Sequence, residues 1–114
     1  YNMIDEIHEL KTARLFEFCT SAPFIINHES AKNIKSARRY GKIIGKIFQI
    51  IDDIHDYEYK SEELINILNV MTKDDALSIC QKYEMQAESY RTKIFPKGSE
   101  RMKDILSYII NRKY

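Results

Sequence analysis

This chain is poor in everything that breaks a helix. Its 114 residues include 3 glycines and 2 prolines, too few for a turn-rich sheet protein, so long helices are expected. Tryptophan is absent. The 2 cysteines, Cys19 and Cys80, both fall on apolar faces and read as reduced core thiols rather than a disulfide framework. Neither sign of charge dominates. With 18 Lys and Arg against 17 Asp and Glu, the formal net charge is +1, which excludes the global field of a nucleic-acid binder. No apolar run approaches the roughly 20 residues of a membrane span, and no signal-peptide pattern opens the chain. Low-complexity tracts, repeats and linkers are also lacking. A single cytoplasmic domain over residues 1–114 is the expectation, long enough to bury roughly 65% of its unfolded surface. The chain starts at Tyr1 rather than Met, as a piece of a longer protein would.

What remains is helical periodicity. A first helix is expected from about Ile4 to Cys19, largely buried from Leu10 onward, with Pro23 ending or kinking it. A second, long helix runs from Ser30 or Ala31 to Tyr57. Its core stripe takes Ile34, Ala37, Gly41, Ile44, Phe48 and Ile51 at steps of three and four. Gly41 and Gly45 admit a closely packed neighbour. A short third helix has Ser61 as N-cap and Leu64, Ile67, Leu68 and Met71 on one face. A fourth opens at a capping-box-like Thr72-Lys73-Asp74-Asp75, buries Ala76, Cys80, Tyr83, Ala87, Tyr90 and Ile94, and closes at Pro96 and Gly98. A fifth uses Met102, Ile105, Leu106, Ile109 and Ile110. Nothing alternates with period two for long enough to be a strand, so the fold class is all-α.

The most informative stretch is Phe48-Gln49-Ile50-Ile51-Asp52-Asp53-Ile54-His55-Asp56. On a helix Gln49, Asp52, Asp53 and Asp56 fall within an arc of roughly 100°. Ile44, Ile47, Ile51 and Ile54 lie opposite. Like charges one turn apart cost about 0.2–0.5 kcal/mol per pair, and the negative end of the helix dipole adds to that cost. A divalent cation relieves both. Magnesium suits one or two carboxylates and shares its remaining positions with water and phosphate. The competing reading is a solvated acidic face. His55 points partly away from the aspartates and is not assigned as a ligand. Lys42 and Lys46 lie near the acidic arc and would neutralise it. His8 reads as structural, because a single histidine shows no partner in the sequence.

The segment Tyr40-Gly41-Lys42-Ile43-Ile44-Gly45-Lys46-Ile47-Phe48-Gln49-Ile50-Ile51-Asp52-Asp53-Ile54-His55-Asp56 resembles the second aspartate-rich motif of the trans-isoprenyl diphosphate synthases. Upstream, Ile7-His8-Glu9-Leu10-Lys11-Thr12-Ala13-Arg14-Leu15-Phe16 is similar to a second signature of that family. The two stand in the family's order and at about its separation, and together cover about half the chain. The resemblance is closest to the branch making farnesyl or geranylgeranyl diphosphate.

That resemblance implies about half of an isoprenoid-synthase helical barrel. It also implies a magnesium-dependent prenyl transfer, in which an allylic diphosphate ionises and isopentenyl diphosphate attacks the cation. By correspondence, Asp52, Asp53 and Asp56 are the metal residues, with Asp52 and Asp56 the contacts and Asp53 in support. Gln49 and Phe48 meet the allylic substrate, and Lys11 and Thr12 its diphosphate. Each has a plainer alternative: a snorkelling lysine for Lys11, a back-bonded hydroxyl for Thr12, a boundary residue for Gln49 and core packing for Phe48.

The family's first aspartate-rich motif has no counterpart here, and Asp74-Asp75 lacks its third aspartate. The Gly-Lys pair expected after Asp56 is missing, and Lys60 sits too early to replace it. Three readings stay open. The chain is the C-terminal half of such a synthase and needs its N-terminal half; or it is a non-catalytic or regulatory subunit of a heteromeric synthase; or it is a helical interaction module with a relic motif. A homo-oligomer stays open in each. No nucleic-acid partner or membrane span is expected.

Overall fold

The computed structural model describes residues 1–59, 65–95 and 99–112. Among these, five α-helices and two short irregular turns occur and no strand, as the shortage of breakers predicts. Helix α1 (Asn2–His8) passes into a π-helical turn (Glu9–Ala13) and then into α2 (Arg14–Ile26) without leaving helical backbone angles. Next come α3 (Ala31–Glu58), a 3₁₀ turn (Ile67–Asn69), α4 (Lys73–Ile94) and α5 (Ser99–Asn111).

Helix α3 organises the molecule. Its 28 residues make a rod about 42 Å long, nearly the full 45 Å of the longest dimension. Ser30 caps it by accepting from the Asn33 amide at 3.2 Å, one of the free donors at a helix start. From Tyr40 to Ile54 almost every position is buried, because α1 and α2 cover one side and α4 and α5 the other. Gly41 and Gly45 make the first contact close. A Cβ on Gly45 would stand 2.6 Å from the Ala13 Cα, and one on Gly41 would stand 2.4 Å from the Phe16 carbonyl oxygen.

Several elements differ from expectation. Pro23 does not end its helix; α2 continues to Ile26. The carbonyl it leaves without a donor belongs to Cys19, an exposed residue where water can serve. The actual stop is a Schellman turn, with Glu29 N–H on the Phe24 carbonyl at 2.9 Å and His28 N–H on that of Ile25 at 3.1 Å. His28 takes the left-handed position, φ 54°, usually held by glycine. Cys19 is therefore no core thiol, whereas Cys80 is buried as expected, its thiol pushed up to about 12 by desolvation.

Of the expected third helix, the described residues show only the 3₁₀ turn. Asn66 sits in extended backbone and its side chain accepts from the Leu68 amide, which substitutes a local turn for helix. Ser61, Leu64 and Lys60 lie outside the described residues, as do Pro96 and Gly98. In α4 the Thr72 cap holds as read: its hydroxyl accepts from the Asp75 amide at 3.2 Å and donates to the Asp75 carboxylate at 2.8 Å. On α5, Leu106 and Ile109 enter the core while Ile105 stays half exposed.

Candidate functional site: a polar seam between two motif segments

Helices α1–α2 and α3 run antiparallel. Their shared seam carries both sequence motifs. The π turn holds Lys11 and Thr12; such turns widen the helix and recur at functional positions. It also lets Ile4, His8 and Ala13 all face α3, the last two five residues apart and both buried.

Along the seam the contacts follow in order. Thr20 donates to the Ala37 carbonyl at 2.8 Å, beside Gly41. Ala13 meets Gly45. The Thr12 hydroxyl donates to Gln49 Oε1 at 2.7 Å, and His8 Nε2 meets Asp53 Oδ2 at 2.9 Å. The Phe16 and Phe48 rings pack alongside with centroids 5.5 Å apart. Two stretches about forty positions apart in sequence are thereby brought together.

Asp53 is the most enclosed polar group of the seam, 2% exposed. Its Oδ2 also accepts from the Ile67 amide at 2.8 Å, and its Oδ1 accepts from Gln49 Nε2 at 3.2 Å. Burial by itself would raise its pKa. The hydrogen bonds from His8, Ile67 and Gln49 outweigh that and hold it below the ordinary carboxylate range. The ionised carboxylate can only accept, so His8 Nε2 carries the proton of their bond. The Asp53 carbonyl in turn accepts from Asn66 Nδ2 at 2.7 Å.

The single acidic face expected of Gln49, Asp52, Asp53 and Asp56 is therefore divided. Gln49 and Asp53 point into the seam. Asp52, its side chain 28% exposed, pairs with Arg112 at 3.2 Å, and Asp56 is half-buried. Arg112 also donates to the Phe48 carbonyl at 3.2 Å and lies 3.9 Å over the Phe48 ring. Lys42 and Lys46 do not neutralise these aspartates. Lys42 pairs with Glu9 at 2.9 Å, and Lys46 reaches both oxygens of Asp5 at 2.8 and 2.9 Å. The Glu9 carboxyl is held below its ordinary value chiefly by the Lys42 hydrogen bond. Lys11 is exposed and Phe48 half-buried.

For a divalent cation, then, the fit is to two carboxylates. Among the described residues no group of three or more His, Cys, Asp or Glu is placed to hold a metal. Asp52 and Asp56 are one turn apart and reach solvent in part, a donor set that suits magnesium completed by water and phosphate. Asp53 is committed elsewhere. Sequence reasoning missed the His8 partnership and Arg112. The available signal was that His8 lies one turn before Thr12, on the side of the helix that carries the motif.

The polar seam and the two motifs place the chain in a class, and comparison agrees: it belongs to the polyprenyl synthetase family, whose profile matches residues 2–109. It is similar to farnesyl diphosphate synthase of Bacillus subtilis (strain 168), 28% identical over 99 residues, 87% of this chain and 33% of that relative. Heterodimeric geranylgeranyl pyrophosphate synthase large subunit 2 of Arabidopsis thaliana is 41% identical over 61 residues, 54% of this chain and 16% of the relative. Octaprenyl diphosphate synthase of Haemophilus influenzae (strain ATCC 51907 / DSM 11121 / KW20 / Rd) is 37% identical over 54 residues, 47% of this chain and 16% of the relative. The chain thus spans about a third or less of the length of these relatives. No solved structure matches it. Among the described residues no helix is long and apolar enough to cross a membrane.

Proposed function

We propose that this chain supplies the second aspartate-rich half-site of a cytoplasmic, magnesium-dependent prenyltransferase that elongates an allylic diphosphate with isopentenyl diphosphate. The observation that carries the reading is the Thr12–Gln49 hydrogen bond of 2.7 Å, which joins the lysine–threonine signature to the aspartate-rich one. Asp52 and Asp56 would face the magnesium, Lys11 the diphosphate, and Phe48 the apolar chain. Magnesium, when bound, would supply charge neutralisation for the departing diphosphate. Asp53 has a supporting role, holding the end of α3 from within. Gln49 and Thr12 fix one another: Thr12 occupies the amide oxygen of Gln49 and Asp53 its amide nitrogen. Lys11, exposed on the π turn, is placed to answer the negative charge of a diphosphate by Coulomb attraction.

A second reading is supported by the surface of α1 and α2. Met3, Leu10, Leu15, Phe18 and Ile26 are each more than 60% exposed, an apolar side that a soluble monomer seldom leaves open. It suits a chain that works against another set of helices, either the N-terminal half of a synthase or a subunit of a heteromeric one. The same surface fits an interaction module whose motif is a relic.

The test is reconstitution. The chain is co-expressed with a family half carrying the first aspartate-rich motif, and transfer from labelled isopentenyl diphosphate is followed. Condensation that falls at least a hundredfold with Asp52→Asn supports the catalytic half-site. A stable complex whose rate is indifferent to Asp52→Asn would instead favour the non-catalytic subunit.

A further inference from the structure

His8 has no part in the chemistry sketched above, yet it makes the deepest polar contact between the motifs. It is 3% exposed, and its Nε2 lies 2.9 Å from Asp53 Oδ2. Asp53 stands where α3 leaves the core. Ile54 is the last buried residue of the helix, and Tyr57, Glu58 and Tyr59 are exposed. Beyond this point the side chains turn outward, Glu58 pairing with Lys73 of α4, and a helix end with so few buried residues opens more readily than the core. Asp53 is fastened twice, to His8 on α1 and to the Asn66–Ile67 segment.

Successive residues on a helix are about 100° apart, so Asp52 and Asp56 lie about 40° from one another, both to one side of Asp53. Fixing Asp53 inward therefore fixes where that pair points. Asp56 is three residues beyond the anchor, within the turn most prone to fray.

We propose that His8 is a positioning residue for the cation-facing pair: its Nε2–H holds Asp53 in the seam, and Asp53 sets the direction of Asp52 and Asp56. The role goes beyond packing because it needs a donor at that point. A ring of similar size without the N–H leaves the buried carboxylate short of a partner. This inference rests on the proposed magnesium-facing role of Asp52 and Asp56.

The experiment titrates the full chain with Mn²⁺ by calorimetry and follows amide hydrogen exchange of Tyr57, Glu58 and Tyr59. The chain should bind Mn²⁺ at least tenfold more tightly than its Asp52→Asn variant. His8→Phe should weaken binding at least fivefold and speed exchange of those amides at least tenfold. His8→Gln, which keeps an N–H donor, should stay within twofold of the parent in both. Wild-type affinity in His8→Phe, or a His8→Gln variant as weak as His8→Phe, overturns the positioning role and leaves the cation site standing. A parent chain that binds no better than Asp52→Asn overturns the cation reading, and this inference with it. Should His8→Phe fail to fold, His8→Phe combined with Asp53→Leu removes the buried charge as well. That variant should still bind Mn²⁺ at least fivefold more weakly, and wild-type affinity in it overturns the proposal.

Discussion

The two sides of α3 are built from opposite materials. Toward α1 and α2 it presents Gly41, Gly45, Gln49 and Asp53, small or polar residues one turn apart. Toward α4 and α5 it presents isoleucines: Ile43 lines one cavity with Tyr83 and Tyr90 of α4, and Ile51 and Ile54 line another with Leu77 of α4 and Ile110 of α5. The isoleucine side gains from burial, about 1.5–3 kcal/mol for each fully buried side chain, and that gain has little directionality. The glycine and polar side has little apolar area to bury. Its backbones nearly touch, and its hydrogen bonds close only in one register. The first side mainly stabilises the helix and the second mainly aligns it. The residues read as functional, Thr12, Gln49 and Asp53 among them, belong to the aligning side.

Substitutions should separate the two roles. The largest effect is expected from Gly45→Val, because the new side chain would meet the Ala13 backbone at 2.6 Å, which no rotamer change relieves. A loss of about 3 kcal/mol should appear as a large drop in the urea midpoint. A midpoint within about 0.5 kcal/mol of the parent would mean that the helices part easily.

Next comes Asp53→Ala, which leaves His8, the Ile67 amide and the Gln49 amide without their acceptor. Breaking a buried pair of this kind costs about 3 kcal/mol. The pH dependence identifies it. The folded-state pKa of Asp53 is depressed, so between that value and the unfolded value of about 3.9 the unfolded chain binds more protons. The stabilisation is fully present above about pH 3.9 and is lost as the pH falls through the folded pKa. Asp53→Asn should flatten that limb of the acid-unfolding curve, and an unchanged limb would assign it to other carboxylates.

On the apolar side, Ile51→Val should cost only about 1 kcal/mol, read from thermal unfolding, with no change in register. A cost as large as that of Gly45→Val would erase the distinction between the two sides. The smallest effect is a gain. His28→Gly should stabilise the chain by about 0.5–1 kcal/mol, because glycine takes the left-handed backbone at His28 without strain. A loss on that substitution would show that the imidazole contributes more than its backbone strain removes.

Much of this arrangement was legible in the sequence. The Thr72 cap, the run of α3, the burial of Cys80 and the close approach at Gly41 and Gly45 all follow from local pattern, because caps and periodicity act over a few residues. The site was legible only in part. Periodicity groups Gln49, Asp52, Asp53 and Asp56 on one arc, but whether that arc meets water or another helix depends on what packs against it. Here the seam runs through the arc. His8 lies 45 positions from Asp53, a distance over which no local rule speaks. The acidic partners of Lys42 and Lys46, Glu9 in the π turn and Asp5 on α1, are equally remote in sequence. Pro23 misled because its cost depends on whether water can reach the freed carbonyl, and the end of α2 is exposed. The 3₁₀ turn was missed because the Asn66 side chain is committed to Leu68 and Asp53.

The most direct test of the account is a double-mutant cycle between His8 and Asp53, using His8→Phe, Asp53→Leu and the pair, with unfolding free energies measured at pH 7. If the two motifs are clasped through this bond, the single variants should each be strongly destabilised and the double variant much less than their sum, giving a coupling of at least about 1 kcal/mol. A coupling below about 0.3 kcal/mol would contradict the account, because the two motif segments would then be neighbours without being joined.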